Sequence, residues 1–284
     1  MDVWVGTSGY VYPEWKGVLY PRGTSSARML SIYAEAFPLV ELNFAYYAMP
    51  TSEQLARMAR RVPPEFRFIV KANRTLTHEL DCTQIPVFST TLQPLCDSKK
   101  LAGVLCQFPQ RFHRSDANLQ WIATIQDQLG EAPIAVEFRH VSWNSPKVDA
   151  WLHERNIVLV SVDVPDLPSL YPRKLARTGR HFYIRLHSRR ASSWHASYAD
   201  RYDYAYTDQE LDWWIDQLAA RADEADQTLI LFNNCRRANA VVNAQRLTGL
   251  LAHRGRPFNV IPPTPAKAMQ GSLFAALCHE PKIE

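Results

Sequence analysis

Ten polar side chains recur at or just past the ends of short apolar runs: Glu41, Asn43, Lys71, Gln107, Glu137, Arg139, Asp163, Arg185, His187 and Asn233. Together they would make a site of three carboxylates, three cations and an imidazole. Glu137 or Asp163 would then serve as general base and His187 as general acid, since proton transfer needs a donor and an acceptor whose pKa values are set by their surroundings. Glu41, Asn43, Lys71, Gln107, Arg139, Arg185 and Asn233 would bind substrate, and arginine's planar fork matches carboxylate or phosphate. The expectation is an enzyme doing acid–base chemistry, as a hydrolase, lyase or isomerase, on a small anionic and phosphorylated ligand.

The same residues support two other chemistries. Glu41, Glu137, Asp163 and His187 form an oxygen-plus-imidazole set for a divalent metal, Mg, Mn or Zn. That would make the chain a metal-dependent phosphodiesterase or nucleic-acid-processing enzyme, by fold-level analogy with barrels of the endonuclease IV type. Nothing in the sequence requires a cofactor, no H-E-x-x-H pattern is present, and three cations compete for the carboxylates. The remaining alternative is a non-catalytic anion or nucleic-acid binding module, or a self-neutralising ion network. Arg173, Lys174, Arg177, Arg180, Arg185, Arg189 and Arg190, followed by Trp194, Tyr198, Tyr202, Tyr204 and Tyr206, offer a nucleic-acid route through phosphate contacts and base stacking. An ordinary solvated loop, or a lid over the site, is the competing reading of that stretch.

The elements that would position these residues follow from periodicity. Strand-like runs occupy 3–7, 39–43, 66–71, 102–107, 134–139, 157–163, 182–187 and 229–233. Helices are expected over 27–36, 51–61, 115–129, 147–155, 211–221 (after a capping box at 207–210) and 238–252, with serine, threonine or proline at several starts. Eight strands alternating with helices predict an α/β fold with a parallel sheet, a TIM-type (β/α)8 barrel, formed as one domain over 1–284. The proline-rich 164–180 lacks a helical period, so the sixth crossover is expected to be irregular. Side chains alternate faces along a strand. In most strands one face is wholly apolar and the other turns polar at its C-terminal end. Assigning the second face to the barrel interior brings the ten residues to the C-terminal rim, where barrel active sites sit.

Composition narrows the setting. Apolar residues make up 46% of the 284, no run approaches the length of a membrane helix, and the N-terminus lacks the pattern of a signal peptide. The five cysteines form no C-x-x-C pair, which fits a reduced, cytoplasmic protein without membrane partners. Cys106 lies on the apolar face of its strand and reads as core filler. A net charge of +4 is compatible with an anionic ligand and too small to argue for nucleic acid by itself. Gly6-Thr7-Ser8-Gly9 after the first strand is either an anion-binding turn or a plain tight turn. No nucleophile elbow or dinucleotide fingerprint occurs.

Several motifs carry a resemblance. They are Gly6-Thr7-Ser8-Gly9-Tyr10 with Tyr12-Pro13 and Trp15, and Val40-Glu41-Leu42-Asn43 with Tyr46-Tyr47. Phe66, Phe68 and Lys71 with Arg74, Thr77 and His78 follow, then Gln107-Phe108-Pro109 and Val136-Glu137-Phe138-Arg139-His140 with Ser142-Trp143. Tyr183, Arg185 and His187, then Phe232-Asn233-Asn234 with Asn243-Ala244, complete the set. In this order the chain resembles the domain-of-unknown-function-72 (YecE-like) family over nearly its whole length. The resemblance implies a TIM-type barrel and no established activity. Ser188, where a glycine is expected, and Phe44-Ala45, in place of a small polar pair, depart from the pattern.

Overall fold

The computed structural model describes residues 1–194 and 198–264. The strands are β1 (Asp2–Ser8), β2 (Leu39–Leu42), β3 (Arg67–Lys71), β4 (Leu101–Gln107), β5 (Ile134–Glu137), β6 (Val158–Asp163), β7 (Phe182–Leu186), β8 (Gln227–Phe232) and β9 (Asn259–Val260). The helices are α1 (Ser26–Ala34), α2 (Phe44–Tyr47), α3 (Ser52–Ala59), α4 (Gln84–Asp97), α5 (Asp116–Leu129), α6 (Pro146–Glu154), α7 (Tyr198–Arg201), α8 (Asp208–Ala219) and α9 (Asn239–Arg254). Strands β1 to β8 pair in parallel in chain order, and β1 pairs with both β8 and β2, which closes an eight-stranded barrel. The short β9 adds to the lower end of β1 at Asp2 and Val3, leaving the upper end to β2. The expected (β/α)8 architecture is present. Residues 265–284 of the single domain expected over the full chain lie outside the described residues.

Local chemistry explains most helix starts. Thr51 accepts from Gln54 N, Ser115 from Asn118 N and Ser145 from Lys147 N, each satisfying a backbone donor that a first helical turn leaves free. Thr207 and Glu210 form a reciprocal capping box at α8. The sequence led to no expected helix between 72 and 101, where α4 forms. Its Pro86 is the third helical residue, where no intrahelical donor is needed, and Pro94 removes one interior donor within the last turn, near the helix end at Asp97. Among the described residues no helix is long and apolar enough to cross a membrane.

The sixth crossover is irregular, as expected: residues 164–181 contain no helix. Side chains replace the missing element. Thr178 Oγ1 donates to Ile157 O and accepts from Leu159 N, and Ser161 Oγ accepts from Ala176 N. These bonds tie the segment to the outer side of β6 and satisfy polar groups that would otherwise be buried without partners.

Register decides which face is interior. Paired residues on adjacent strands share a face, and the pairs run Ser8 with Glu41, Glu41 with Ile69, Lys71 with Leu105, and Gln107 with Glu137. They continue through Ala135 with Val158, Val160 with Tyr183, and Arg185 with Leu231. The interior of β6 is therefore Val158, Val160 and Val162, and Ser161 and Asp163 point outward. This corrects the expectation for Asp163. In β6 the apolar face fills the barrel and the polar face meets the outer layer, the reverse of β2, β5 and β7.

Close backbone approach makes Gly6 obligatory, since a Cβ there would lie 2.0 Å from the carbonyl oxygen of Leu39. Gly6→Ala is expected to destabilise the barrel by about 3 kcal/mol, read as a lower urea midpoint. Gly249, inside α9 with nothing within 4 Å, should behave oppositely. Gly249→Ala is expected to stabilise by about 0.5–1 kcal/mol. Equal effects at the two positions would contradict the described β1–β2 contact.

Candidate functional site

Arg185 rises from the middle of β7 into the barrel and is 1% exposed. Its Nε donates to Glu41 Oε2 at 2.8 Å and its Nη2 to Glu41 Oε1 at 2.6 Å, a two-point pair across the barrel. Its Nη1 donates to Glu137 Oε2, and Nη2 also reaches Ser8 Oγ at 3.4 Å. Tyr183, two residues earlier on the same face, donates its hydroxyl to Glu41 Oε2 at 2.7 Å. Both carboxylates are fully buried, so each charge depends on these partners.

The other oxygen of Glu137 has a different environment. Arg139 Nε lies 2.7 Å from Oε1 as an ion pair, and His187 Nε2 lies 3.5 Å away. None of these three buried atoms has a hydrogen-bond partner. Asn43 Oδ1 is also buried without one. Burial alone would raise the Glu137 pKa, but Arg139 and Arg185 hold it well below the usual carboxylate range. His187 goes the other way: burial, reinforced by Arg139, lowers it to about 3. At neutral pH it is an uncharged imidazole and not the imidazolium donor that the sequence suggested. Asn233 Nδ2 lies 2.9 Å from His187 Nδ1. With the amide as donor, the ring proton sits on Nε2, facing Glu137.

Lys71 ends β3 and makes no ion pair among the described residues. Its Nζ donates to Gln107 Oε1 at 2.9 Å and stands 4.5 Å from the centre of the Tyr46 ring. Burial, followed by repulsion from Arg185, lowers its pKa to about 8. Two cavities meet at this lysine. One, of about 310 Å³, has Asn43, Lys71, Arg185 and Asn233 on its polar side and Tyr10, Tyr12, Phe44, Tyr47 and Tyr202 on its aromatic side. The other, of about 420 Å³, adds Gln107, Arg139, His78 and Trp194, and shares Lys71, Tyr47 and Tyr202 with the first.

Nine of the ten expected residues thus gather at the C-terminal end of the barrel, through direct bonds or shared cavities: Glu41, Asn43, Lys71, Gln107, Glu137, Arg139, Arg185, His187 and Asn233. Asp163 does not join them. It takes Nε and Nη2 of Arg189, Arg173 Nη1 at 3.4 Å and Trp214 Nε1 of α8 at 2.6 Å, all behind the barrel wall. The four-ligand metal set is not assembled either, because Asp163 faces away and a guanidinium sits between Glu41 and Glu137. Among the described residues no three His, Cys, Asp or Glu side chains cluster around a metal position.

The basic stretch is divided as well. Arg185 is inside the barrel, Arg173 and Arg189 converge on Asp163, and Lys174 pairs with Asp149 at 2.9 Å. Trp194 and Tyr206 are buried, and the side chain of Tyr198 lies outside the described residues. Ser8, Tyr183 and the tyrosines of the cavity walls were absent from the expected site. The strand alternation that selects Arg185 also selects Tyr183. No local signal brings Tyr202 to the mouth, because a loop carries it there. Cys106 is buried on the helix-facing side of β4, its thiol pushed up to about 12 by burial, in agreement with a filler role.

Fold and site together define a TIM-type barrel protein with an ion-paired, aromatic-walled mouth. Residues 4–269 match the family described as a protein of unknown function, DUF72, and the chain belongs to that family. The chain is 30% identical over 264 residues to the UPF0759 protein YunF of Bacillus subtilis (strain 168), covering 82% of this chain and 90% of that protein. It is 26% identical to the UPF0759 protein YecE of Escherichia coli (strain K12) over 171 residues, 57% of this chain and 59% of that one. A DUF72 family crystal structure from Thermotoga maritima MSB8 is similar at a TM-score of 0.82 and 33% identity, covering 89% of this chain and all of that one. Another from Enterococcus faecalis V583 gives 0.79 and 28%, covering 88% and 95%.

Two stability outcomes follow. Arg185→Met would leave two buried carboxylates short of a partner and is expected to cost about 3–5 kcal/mol. Replacing Glu41, Glu137 and Arg185 together by apolar residues should recover much of that loss in the same urea titration. The second outcome concerns pH. Unfolded histidines bind a proton near pH 6.5, whereas His187 does so at about 3 and His181 at about 4 when folded. Stability should be full above pH 6.5 and decline as pH falls toward 3. His187→Gln should flatten that decline, and a wild-type profile level from pH 7 to 5 would rule out neutral buried rings.

Proposed function

We propose that this protein is an enzyme that binds a small anionic substrate at the C-terminal mouth of its barrel and moves a proton with Lys71. The observation that carries this reading is the charge balance of the mouth. Glu41 and Glu137 are both committed to arginines, and Lys71 has no carboxylate partner among the described residues. Three cations, Arg139, Arg185 and Lys71, face two carboxylates, so one positive charge remains for a ligand. Asn43 Oδ1, buried at the wall of the first cavity without a hydrogen bond, is a further polar group that a ligand would satisfy.

The proton-transfer role passes from Glu137 and His187 to Lys71. Glu137 is stabilised as its anion and is a weak base, and His187 is neutral and 3.5 Å from that anion. Lys71, with a pKa of about 8, is the group in the mouth closest to working pH. Glu41 and Glu137 position Arg185 and Arg139, and Arg139, which lines the second cavity beside Lys71, meets the carboxylate or phosphate. Phosphate is the favoured anion because it can accept from more of these donors at once.

A thermal-shift screen of phosphorylated and carboxylated metabolites tests the reading. Binding should weaken with added salt. Arg139→Ala should reduce affinity on the order of 10-fold, as expected for one charge-assisted hydrogen bond. With a base at Lys71, kcat/KM should rise with pH and level off above about 8, and Lys71→Met should abolish turnover while retaining some binding. Binding without turnover for every ligand would favour a non-catalytic module. Unchanged affinity in both variants would remove the site from consideration.

A further inference from the structure

We propose that Lys71 is a covalent nucleophile, forming an imine with an aldehyde or ketone substrate that carries a carboxylate or phosphate; the anion recognition rests on the reading above. The geometry points to it in three ways. Lys71 lines both cavities, with Tyr47 and Tyr202, and is the amine they share, so a carbonyl entering either comes beside it. Its only described hydrogen bond goes to the neutral amide oxygen of Gln107, which orients the nitrogen without requiring it to stay charged. The two buried carboxylates that would otherwise hold it as an ammonium ion are taken by Arg185 and Arg139. A lysine used only to attract an anion gains from a nearby carboxylate pair or from open solvent. One that must deprotonate and attack needs a partly desolvated place beside other cations. The lowered pKa, about 8, agrees with that placement.

The step balances without a co-reactant. The lone pair of the neutral amine attacks the carbonyl carbon and the C=O π bond breaks toward oxygen. Both protons that leave the nitrogen end on that oxygen, which departs as water, leaving a C=N bond to Lys71. Taking up one proton from solvent, the imine nitrogen becomes an iminium that can accept an electron pair from an adjacent bond, as required for cleavage or isomerisation next to a carbonyl. The positive charge of the protonated imine and the Arg139 side chain on the cavity wall would meet the substrate's anion, and Tyr46, whose ring centre is 4.5 Å from Lys71 Nζ, would shield the imine from water.

Reductive trapping tests this on the full chain. Purified protein is incubated with cyanoborohydride and one of three two-carbon aldehydes: glyoxylate, glycolaldehyde phosphate or uncharged glycolaldehyde. Adducts are located by peptide mass mapping, and binding of glycolate and phosphoglycolate, the matching non-carbonyl anions, is followed by thermal shift. The expected result is an adduct on Lys71 ahead of the other lysines, at concentrations at least 10-fold lower for an anionic aldehyde than for glycolaldehyde. Preference between glyoxylate and glycolaldehyde phosphate distinguishes carboxylate from phosphate recognition. Lys71→Arg should keep the thermal shift and lose the adduct. Glycolate or phosphoglycolate binding with no preferential adduct at Lys71 would overturn the imine while sparing the anion site. Absence of both binding and trapping would overturn both, and equal trapping by all three aldehydes would overturn anion-directed imine formation.

Discussion

The pairing of Arg185 with Glu41 and Glu137 is the constraint on which the rest of the mouth depends. Three charges from β2, β5 and β7 meet inside the barrel with almost no exposure. Removing an ion from water costs several kcal/mol even after relaxation, so such a cluster is retained only where its geometry is nearly complete. Here the guanidinium uses every nitrogen, and Tyr183 and Ser8 supply further contacts. Pairing across the barrel also ties the registers of strands distant in sequence to one another, because a shift of one residue in any of them would turn its charge to the apolar outer layer.

That cluster shapes the chemistry around it. Since Glu137 is held as its anion, it is not available as a base near neutral pH, and Glu41 is taken up by Arg185 and Tyr183, which leaves Lys71 and Arg139 to face the cavities. The same positive field, with burial, keeps His187 neutral and lowers Lys71. The polar floor is carried by strands, while the walls are mostly aromatic and come from loops and short helices after the strands. This combination of a charged, strand-borne floor and loop-borne aromatic walls is what a (β/α)8 barrel provides at its C-terminal face. Asp163 serves the outer wall, where it gathers Arg189, Arg173 and Trp214 and anchors the helix-free sixth crossover to α8.

Much of the fold was legible in the sequence because its signals are local. Short apolar runs mark the strands, and Thr51, Ser115, Ser145 and Thr207 mark helix starts through bonds spanning two or three residues. Residues 164–180 lack a helical period, and that absence correctly marked the irregular crossover. Helix α4 was not anticipated, although its Pro86 falls where a helix tolerates proline. In β2, β5 and β7 the alternation of polar and apolar residues identified Glu41, Glu137 and Arg185, because each of these strands has one strictly apolar face turned to the helices.

Strand β6 shows where that logic stops. Its two faces, three valines on one side and Leu159, Ser161 and Asp163 on the other, read like those of its neighbours, yet they are turned over. Alternation along one strand determines which residues share a face, by the pleat of the backbone alone. Which face looks inward is settled by hydrogen-bond register with β5 and β7 and by what packs behind, here Trp214 and the arginines at Asp163. The sequence by itself therefore determined the barrel, the order of its eight strands and the membership of each strand face. Only the tertiary structure decided that Arg185 occupies both carboxylates, that Asp163 lies outside and that Lys71 remains without an ion pair among the described residues, because each depends on contacts between segments far apart in the chain.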